Sequence, residues 1–204
     1  MIALVDYGLG NVKAFAHVYK KMNKQAIIAK QAKDLVNATK IILPGVGAFD
    51  EAMKHLERSG MRKILEEMVF NHRTPVLGIC VGMQMLSLSS EEGNASGLGW
   101  LDGVVKKFNF PSNINNLYVP HMGWNSICPA KENALLRKLD QGSRFYFLHS
   151  YYLHCNRDED AIAFTDYGGC FVCAVNHENI YGVQFHPEKS HQWGVQLLKN
   201  FAEL

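Results

Sequence analysis

Thr74-Pro75-Val76-Leu77-Gly78-Ile79-Cys80-Val81-Gly82-Met83-Gln84-Met85 is the stretch on which the reading of this chain turns. Pro75 to Leu77 is an apolar run of strand character, and Met83 to Leu88 has the composition of a helix. Between them lies small-x-Cys-x-small, the pattern of a nucleophile elbow. Small residues leave room for a strained turn that lifts the middle side chain out of the sheet and aims it at a helix N-terminus. The positive end of a helix dipole favours thiolate over thiol, so this is a chemically useful place for a cysteine. Thr74 to Ile79 is therefore predicted to be a strand feeding a reactive Cys80.

Working outward, short β-branched runs alternate with amphipathic ones, which marks βαβ units. Ile2 to Asp6, Gln25 to Lys30 and Lys40 to Leu43 read as strands of buried length, as in a parallel sheet covered on both faces. Asn11 is placed to cap a helix carrying Val12, Phe15, Val18, Tyr19 and Met22 at helical spacing. Phe49 to Leu56 and Met61 to Phe70 read as helices split by Gly60. After Ser90 the pattern changes. Residues 91–130 hold Gly, Asn and Pro with short β-like pieces at Val104 to Phe108 and Leu117 to Val119. Arg144 to Leu153 and Ile180 to Phe185 read as strands, and Trp193 to Phe201 as a closing helix. The expectation is one α/β domain: a parallel central sheet extended by antiparallel strands from the second half.

The chain of 204 residues is nearly half apolar, with a formal net charge of +2. That balance speaks against a nucleic-acid face or an acidic tail. No apolar run approaches a membrane span, and Met1 to Val5 lacks the basic leader and length of a signal core, so no export signal is expected. The five cysteines, Cys80, Cys128, Cys155, Cys170 and Cys173, form an odd set without disulfide-framework spacing. Cys170 and Cys173 have Cys-x-x-Cys spacing, but they fall inside a strand-like run, where positions three apart face opposite sides. No second pair stands at a zinc-ribbon distance, so no metal site is expected. Asp6-Tyr7-Gly8-Leu9-Gly10-Asn11 follows a strand and opens a helix. Lys13 holds the third glycine position of a dinucleotide loop, and Lys30 replaces the acidic residue expected at the end of the second strand.

A cysteine that attacks an acyl carbon needs a base, and the base needs an orienting acceptor. Of nine histidines, His186 in Phe185-His186-Pro187-Glu188 is the best placed, at a strand end just before a proline. Such carboxyl-edge positions are where open parallel sheets put their ligands. Glu188, two residues on, can turn back to accept from the imidazole and fix its tautomer. The Val81 backbone N–H, next after the nucleophile, would serve a tetrahedral oxyanion, and Pro44-Gly45-Val46-Gly47 is a glycine-rich turn that can offer a second donor. His121, Trp124, His149, Tyr151 and Tyr152 are bulky polar-aromatic residues suited either to sheet packing or to a partner-facing rim.

As a set, Gly78-Ile79-Cys80-Val81-Gly82-Met83-Gln84 and Phe185-His186-Pro187-Glu188 resemble the triad-type (class I) glutamine amidotransferases. Asp6 to Asn11, Pro44 to Phe49, Pro120-His121-Met122-Gly123-Trp124-Asn125, Tyr146 to Tyr151 and His186 to Ser190 narrow the resemblance to the glutaminase subunits of imidazole glycerol phosphate synthases. The resemblance covers essentially the whole chain. It implies a cytoplasmic protein with a flavodoxin-like three-layer α/β sandwich over residues 1–204, a single amidotransferase domain without cofactor. It also implies hydrolysis of L-glutamine to glutamate and ammonia, with the ammonia passed to a HisF-type (β/α)8-barrel cyclase in a heterodimer. By motif position Cys80 is the nucleophile, His186 base then acid, and Glu188 its orienter. The Val81 N–H with the Val46–Gly47 peptide forms the oxyanion hole. Gly47, Gln84, His149, Ser150 and Tyr151 hold glutamine, and Trp124, Tyr146 and Lys189 face the cyclase. Partner control through rotation of the Val46 peptide is expected.

Ser89-Ser90-Glu91-Glu92-Gly93-Asn94 and Lys189-Ser190-His191-Gln192-Trp193-Gly194 have the texture of relatives that resemble this subgroup and feed a sugar-amidating enzyme of surface-glycan synthesis. A stand-alone cysteine peptidase on a similar fold is a further alternative, which would have no use for Gln84. A non-catalytic interaction domain would be expected to have lost Cys80, His186 or Glu188.

Overall fold

The computed structural model describes residues 1–110 and 117–204. Its first half is built from β1 (Ile2–Val5), α1 (Val12–Lys21), β2 (Ala26–Ala29), β3 (Lys40–Gly45), α2 (Phe49–Arg58), α3 (Arg62–Phe70), β4 (Val76–Cys80) and α4 (Val81–Met85). The second half follows with β5 (Ser89–Ser90), β6 (Gly103–Lys107), β7 (His121–Ser126), β8 (Cys128–Pro129), β9 (Arg144–His149) and β10 (Tyr151–Cys155). It closes with β11 (Ala161–Asp166), β12 (Cys170–His177), β13 (Ile180–Val183) and α5 (His191–Ala202).

Among the described residues the main sheet has the order β2-β1-β3-β4-β13-β12-β11-β8. Strands β2 through β13 in that order run parallel, and β12, β11 and β8 continue antiparallel. This is the expected parallel sheet with an antiparallel extension. The apolar runs form it because both faces are covered: every residue of β1 and of β4 is buried. Leu4, Ile41, Ile42, Leu43 and Leu77 are fully buried at its centre. Burial of each such side chain contributes about 2 kcal/mol. The Asn11 side chain accepts from the Ala14 N–H at 3.3 Å, capping α1 as predicted.

Three expectations need correction. The helix after Cys80 starts at Val81 and stops at Met85, rather than running from Met83 to Leu88. The Leu98 N–H takes the Met85 carbonyl, the Trp100 and Leu101 N–H groups take that of Leu86, and the Ser87 hydroxyl donates to the Gln84 carbonyl. With those acceptors engaged by the following loop, the helix cannot extend. Arg144 to Leu153 is two strands in two sheets, broken at Ser150: β9 pairs with β7, and β10 with β6. The His149 imidazole reaches the Tyr151 carbonyl at 2.8 Å, a local bond that competes with strand continuation. Leu117 to Val119 forms no strand. In β12, Cys170 is exposed and Cys173 fully buried, on the opposite faces that their spacing predicts.

Candidate active site

Topology brings the two distant motifs together. Strand β4 lies between β3 and β13, all parallel, with Gly45 opposite Cys80 and Val183 opposite Ile79. The chain segments leaving these strands, 45–47, 80–81 and 184–188, therefore converge on one carboxyl edge. At Cys80 the backbone takes φ 55° and ψ −114°, a conformation that only tight surroundings sustain in a residue with a side chain. Close packing explains the flanking glycines. A Cβ on Gly82 would meet the Leu43 carbonyl oxygen at 1.9 Å, and one on Gly45 the Gly82 nitrogen at 2.4 Å. Gly47 adopts φ +88°, in the left-handed region, which frees the turn after β3 from the usual side-chain constraint.

The carboxyl edge opens into a cavity of about 290 Å³. Val46, Gly47, Cys80, Val81, Gln84, His149, Ser150, Tyr151, His186 and Lys189 line it, so it gathers nearly all the residues singled out from the sequence. Glu188 stands behind His186, with Oε1 2.9 Å from Nδ1 and its side chain 3% exposed. The other imidazole nitrogen is left free of Glu188, and His186 and Cys80 line the same cavity. The catalytic-looking turn is fastened to β9: the His186 N–H donates to the Tyr146 carbonyl, and the Ser190 hydroxyl accepts from the Tyr146 N–H while donating to the His186 carbonyl.

Burial alone would strip the proton from His186. Hydrogen bonds to Cys80 and Glu188, with the negative charge on both, outweigh it and hold the pKa up to about 10. His186 is thus held as imidazolium beside the Cys80 sulfur, where a positive charge favours the anionic form of a thiol. Tyr7, whose hydroxyl donates to the Pro44 carbonyl at 2.8 Å, has its pKa raised by burial and then by the charge on Cys80.

A second set of buried groups backs the cavity. His149 Nδ1 faces a carbonyl and so must donate; its Nε2 then accepts from His121 Nδ1 at 3.1 Å. Burial lowers the pKa of His121 to about 4 and that of His149 to about 3, so both are neutral. His121 is sandwiched between Phe147 and Tyr167, at 4.7 and 3.9 Å between ring centres. Of the partner-facing candidates, Trp124 is 38% exposed, stacks on His191 and meets Tyr146 edge-on, and Lys189 Nζ lies 5.6 Å from the centre of the Tyr146 ring.

Two residues at the site were missed from sequence. Glu92 lines the cavity and accepts the Phe49 N–H at 2.9 Å, capping α2 in place of Ala48, which has no side-chain acceptor. Gln184 is fully buried with Nε2 3.7 Å from Cys80 Sγ. A glutamine closing the apolar run Ile180 to Val183 was the available signal for the second.

The family profile described as Glutamine amidotransferase class-I matches residues 3–204. The chain belongs to the class I glutamine amidotransferases. It is 56% identical over its full length, and the full length of the relative, to a Leptospira interrogans protein named imidazole glycerol phosphate synthase subunit HisH. A Bdellovibrio bacteriovorus protein of the same name is 52% identical, again over all of both chains. Among solved structures, PurLQS from Thermotoga maritima has the same fold, with a TM-score of 0.74 at 15% identity over 99% of this chain and 97% of that one. An amidotransferase is an enzyme that takes nitrogen from glutamine, and the cavity above Cys80 suits a substrate of that size. No helix among the described residues is long and apolar enough to cross a membrane.

Proposed function

We propose that this chain is the glutaminase subunit of an imidazole glycerol phosphate synthase, one amidotransferase domain working in the cytoplasm beside a HisF-type (β/α)8-barrel cyclase. The observation that carries the reading is the meeting of Cys80, His186 and Glu188 at adjacent ends of β4 and β13, under a cavity of about 290 Å³. The full-length identity to proteins named HisH supports the pathway.

In this reading the Cys80 thiolate attacks the carboxamide carbon of L-glutamine. The oxyanion is met by the Val81 N–H and the Val46–Gly47 peptide, while Gly47, Gln84, His149, Ser150 and Tyr151 hold the substrate. Loss of one oxyanion donor would cost about 3 kcal/mol of transition-state stabilisation. The C–N bond breaks as His186 gives its proton to the departing nitrogen, leaving ammonia and a thioester. Water then attacks the thioester, with neutral His186 as base, and glutamate leaves. Free ammonia in water near neutral pH is mostly ammonium and not nucleophilic, so direct transfer to the partner keeps it reactive. Trp124, Tyr146 and Lys189 would line that docking face. The lyase step belongs to the cyclase, which forms imidazole glycerol phosphate and aminoimidazole carboxamide ribonucleotide.

The test is Cys80→Ser in the complex with the cyclase subunit. Glutamine-driven formation of imidazole glycerol phosphate should disappear, while formation from added ammonium salt persists. Glutamine-driven turnover surviving the substitution would refute the nucleophile assignment. Active glutamine hydrolysis with no imidazole glycerol phosphate formed by the unaltered complex would refute the pathway.

A further inference from the structure

The sulfur of Cys80 has a side-chain amide within hydrogen-bond reach, and the strand register places it there. Since Val183 stands opposite Ile79, the next residue, Gln184, falls beside Cys80. It is fully buried, directly after a strand made of Ile, Tyr, Gly and Val. A buried side-chain amide has a fixed set of needs, and here one end of a chain of contacts decides the orientation of all of them. The Tyr151 carbonyl can only accept. The Gln84 group lying 3.0 Å from it is therefore the NH2, Nε2. That NH2 has a second hydrogen, and Gln184 Oε1 receives it at 3.1 Å. With Oε1 committed to Gln84, the NH2 of Gln184 must face the other way, and there it finds Cys80 Sγ at 3.7 Å. The same Tyr151 carbonyl also accepts from His149 Nδ1, so it is anchored from two sides.

We propose that Gln184 is a catalytic residue of this site: its side-chain amide, aimed by Gln84 and through it by the Tyr151 carbonyl, donates a hydrogen bond to the Cys80 sulfur and holds it as the thiolate. The inference rests on Cys80 being the nucleophile. It answers a question that the short helix raises. Helix α4 spans five residues, too few for the dipole that the elbow pattern suggests, so the anion needs discrete donors. The thiol form has its own outlet, the Leu148 carbonyl 3.8 Å from Sγ. Gln184 and Leu148 thus favour opposite protonation states. The relay also ties substrate recognition to the nucleophile: with both Gln84 hydrogens committed, its Oε1 is the atom left to accept an N–H from a ligand, and contact there polarises the same chain. The other titratable groups around the sulfur are His186 with Glu188 behind it, Tyr7, and His149, Tyr151, Glu92 and Lys189 in the cavity wall.

The pH dependence of Cys80 alkylation by iodoacetamide in the full-length chain, followed by mass spectrometry of the Cys80 peptide, reads the thiolate without requiring turnover. Gln184→Leu removes the donor at similar volume. Losing one hydrogen bond to a charged acceptor should slow alkylation on the acid limb about tenfold and move that limb up by about one pH unit. Gln184→Glu, which keeps an acceptor for Gln84 but offers the sulfur no hydrogen when ionised, should move it at least as far. Gln84→Met leaves Gln184 in place but unaimed, and should move the limb in the same direction by less. It decides the matter if neither Gln184 variant folds. An acid limb unchanged in the folded variants would overturn the proposal and leave Gln184 a core filler. Glutamine turnover by Cys80→Ser tests the nucleophile separately, so the two failures are distinguishable.

Discussion

His186 and His149 face the same cavity and are 3% and 6% exposed, yet one is charged and the other neutral. Burial pushes both towards the neutral form. His149 meets a carbonyl and another imidazole, which make too little of a positive charge to resist, and the charge on His186 disfavours a second one nearby. His186 meets the Glu188 carboxylate and the Cys80 sulfur, and it stays protonated up to about 10. The lesson is that burial sets how much a partner matters, and the partner sets the sign. One imidazole is thereby kept protonated, as the proposed reaction requires of its acid, and the other as a neutral strut for the wall that Tyr151 belongs to.

The strongest way to break the contrast is Glu188→Gln, which takes away one of the two negative groups that hold the proton. Glutaminase turnover should fall on the order of a hundredfold or more, and the alkaline limb of the rate profile should move towards neutral pH, seen in initial rates across pH. A limb that does not move would mean that Glu188 does not support the charge. The two histidine sets should also leave opposite marks on stability. His186 has a folded pKa above its ordinary 6.5, so its contribution is complete below that pH and fades as pH rises towards about 10. His121 and His149 are depressed, so theirs is complete above 6.5 and fades as pH falls towards about 4 and 3. Urea midpoints should therefore drop on both sides of neutrality, with a loss on the order of 2 kcal/mol by pH 5. His121→Phe fills the slot between Phe147 and Tyr167 without a titrating ring. It should cost about 1 kcal/mol at neutral pH by leaving His149 Nε2 unpaired, and should flatten the acid slope. The smallest effect belongs to an exposed control. His72, whose side chain is 65% exposed and 3.8 Å from Glu67, should on replacement by Ala change the midpoint by less than about 0.5 kcal/mol at any of these pH values.

The parallel half of the sheet was legible because its strands are short apolar runs buried on both faces and its helices carry clear stripes. The elbow was legible because Gly78 and Gly82 bracket Cys80 for a steric reason that any sheet of this kind imposes. What lay beyond sequence was decided by contacts between remote segments. Nothing in Tyr146 to Leu153 announces that Ser150 divides it between two sheets, since both parts keep β-type residues and the divider is a hydrogen bond from the His149 ring. The end of α4 depends on N–H groups from residues 98–101. Glu92 acts on Phe49 across 43 positions, a pairing that no local spacing encodes. Gln184 lay next to a motif that was read, but only the alignment of β13 with β4 makes it a neighbour of sulfur.

The backbone at Cys80 has a consequence for the protein's history. A residue with a Cβ held at φ 55° and ψ −114° forgoes on the order of 1–3 kcal/mol that glycine would recover there. A laboratory selection rewarding thermal endurance while ignoring turnover should drift to glycine at position 80, and the hardier protein it yields would be inert. On the proposed function, a cysteine held in that conformation is what selection for work over durability would leave.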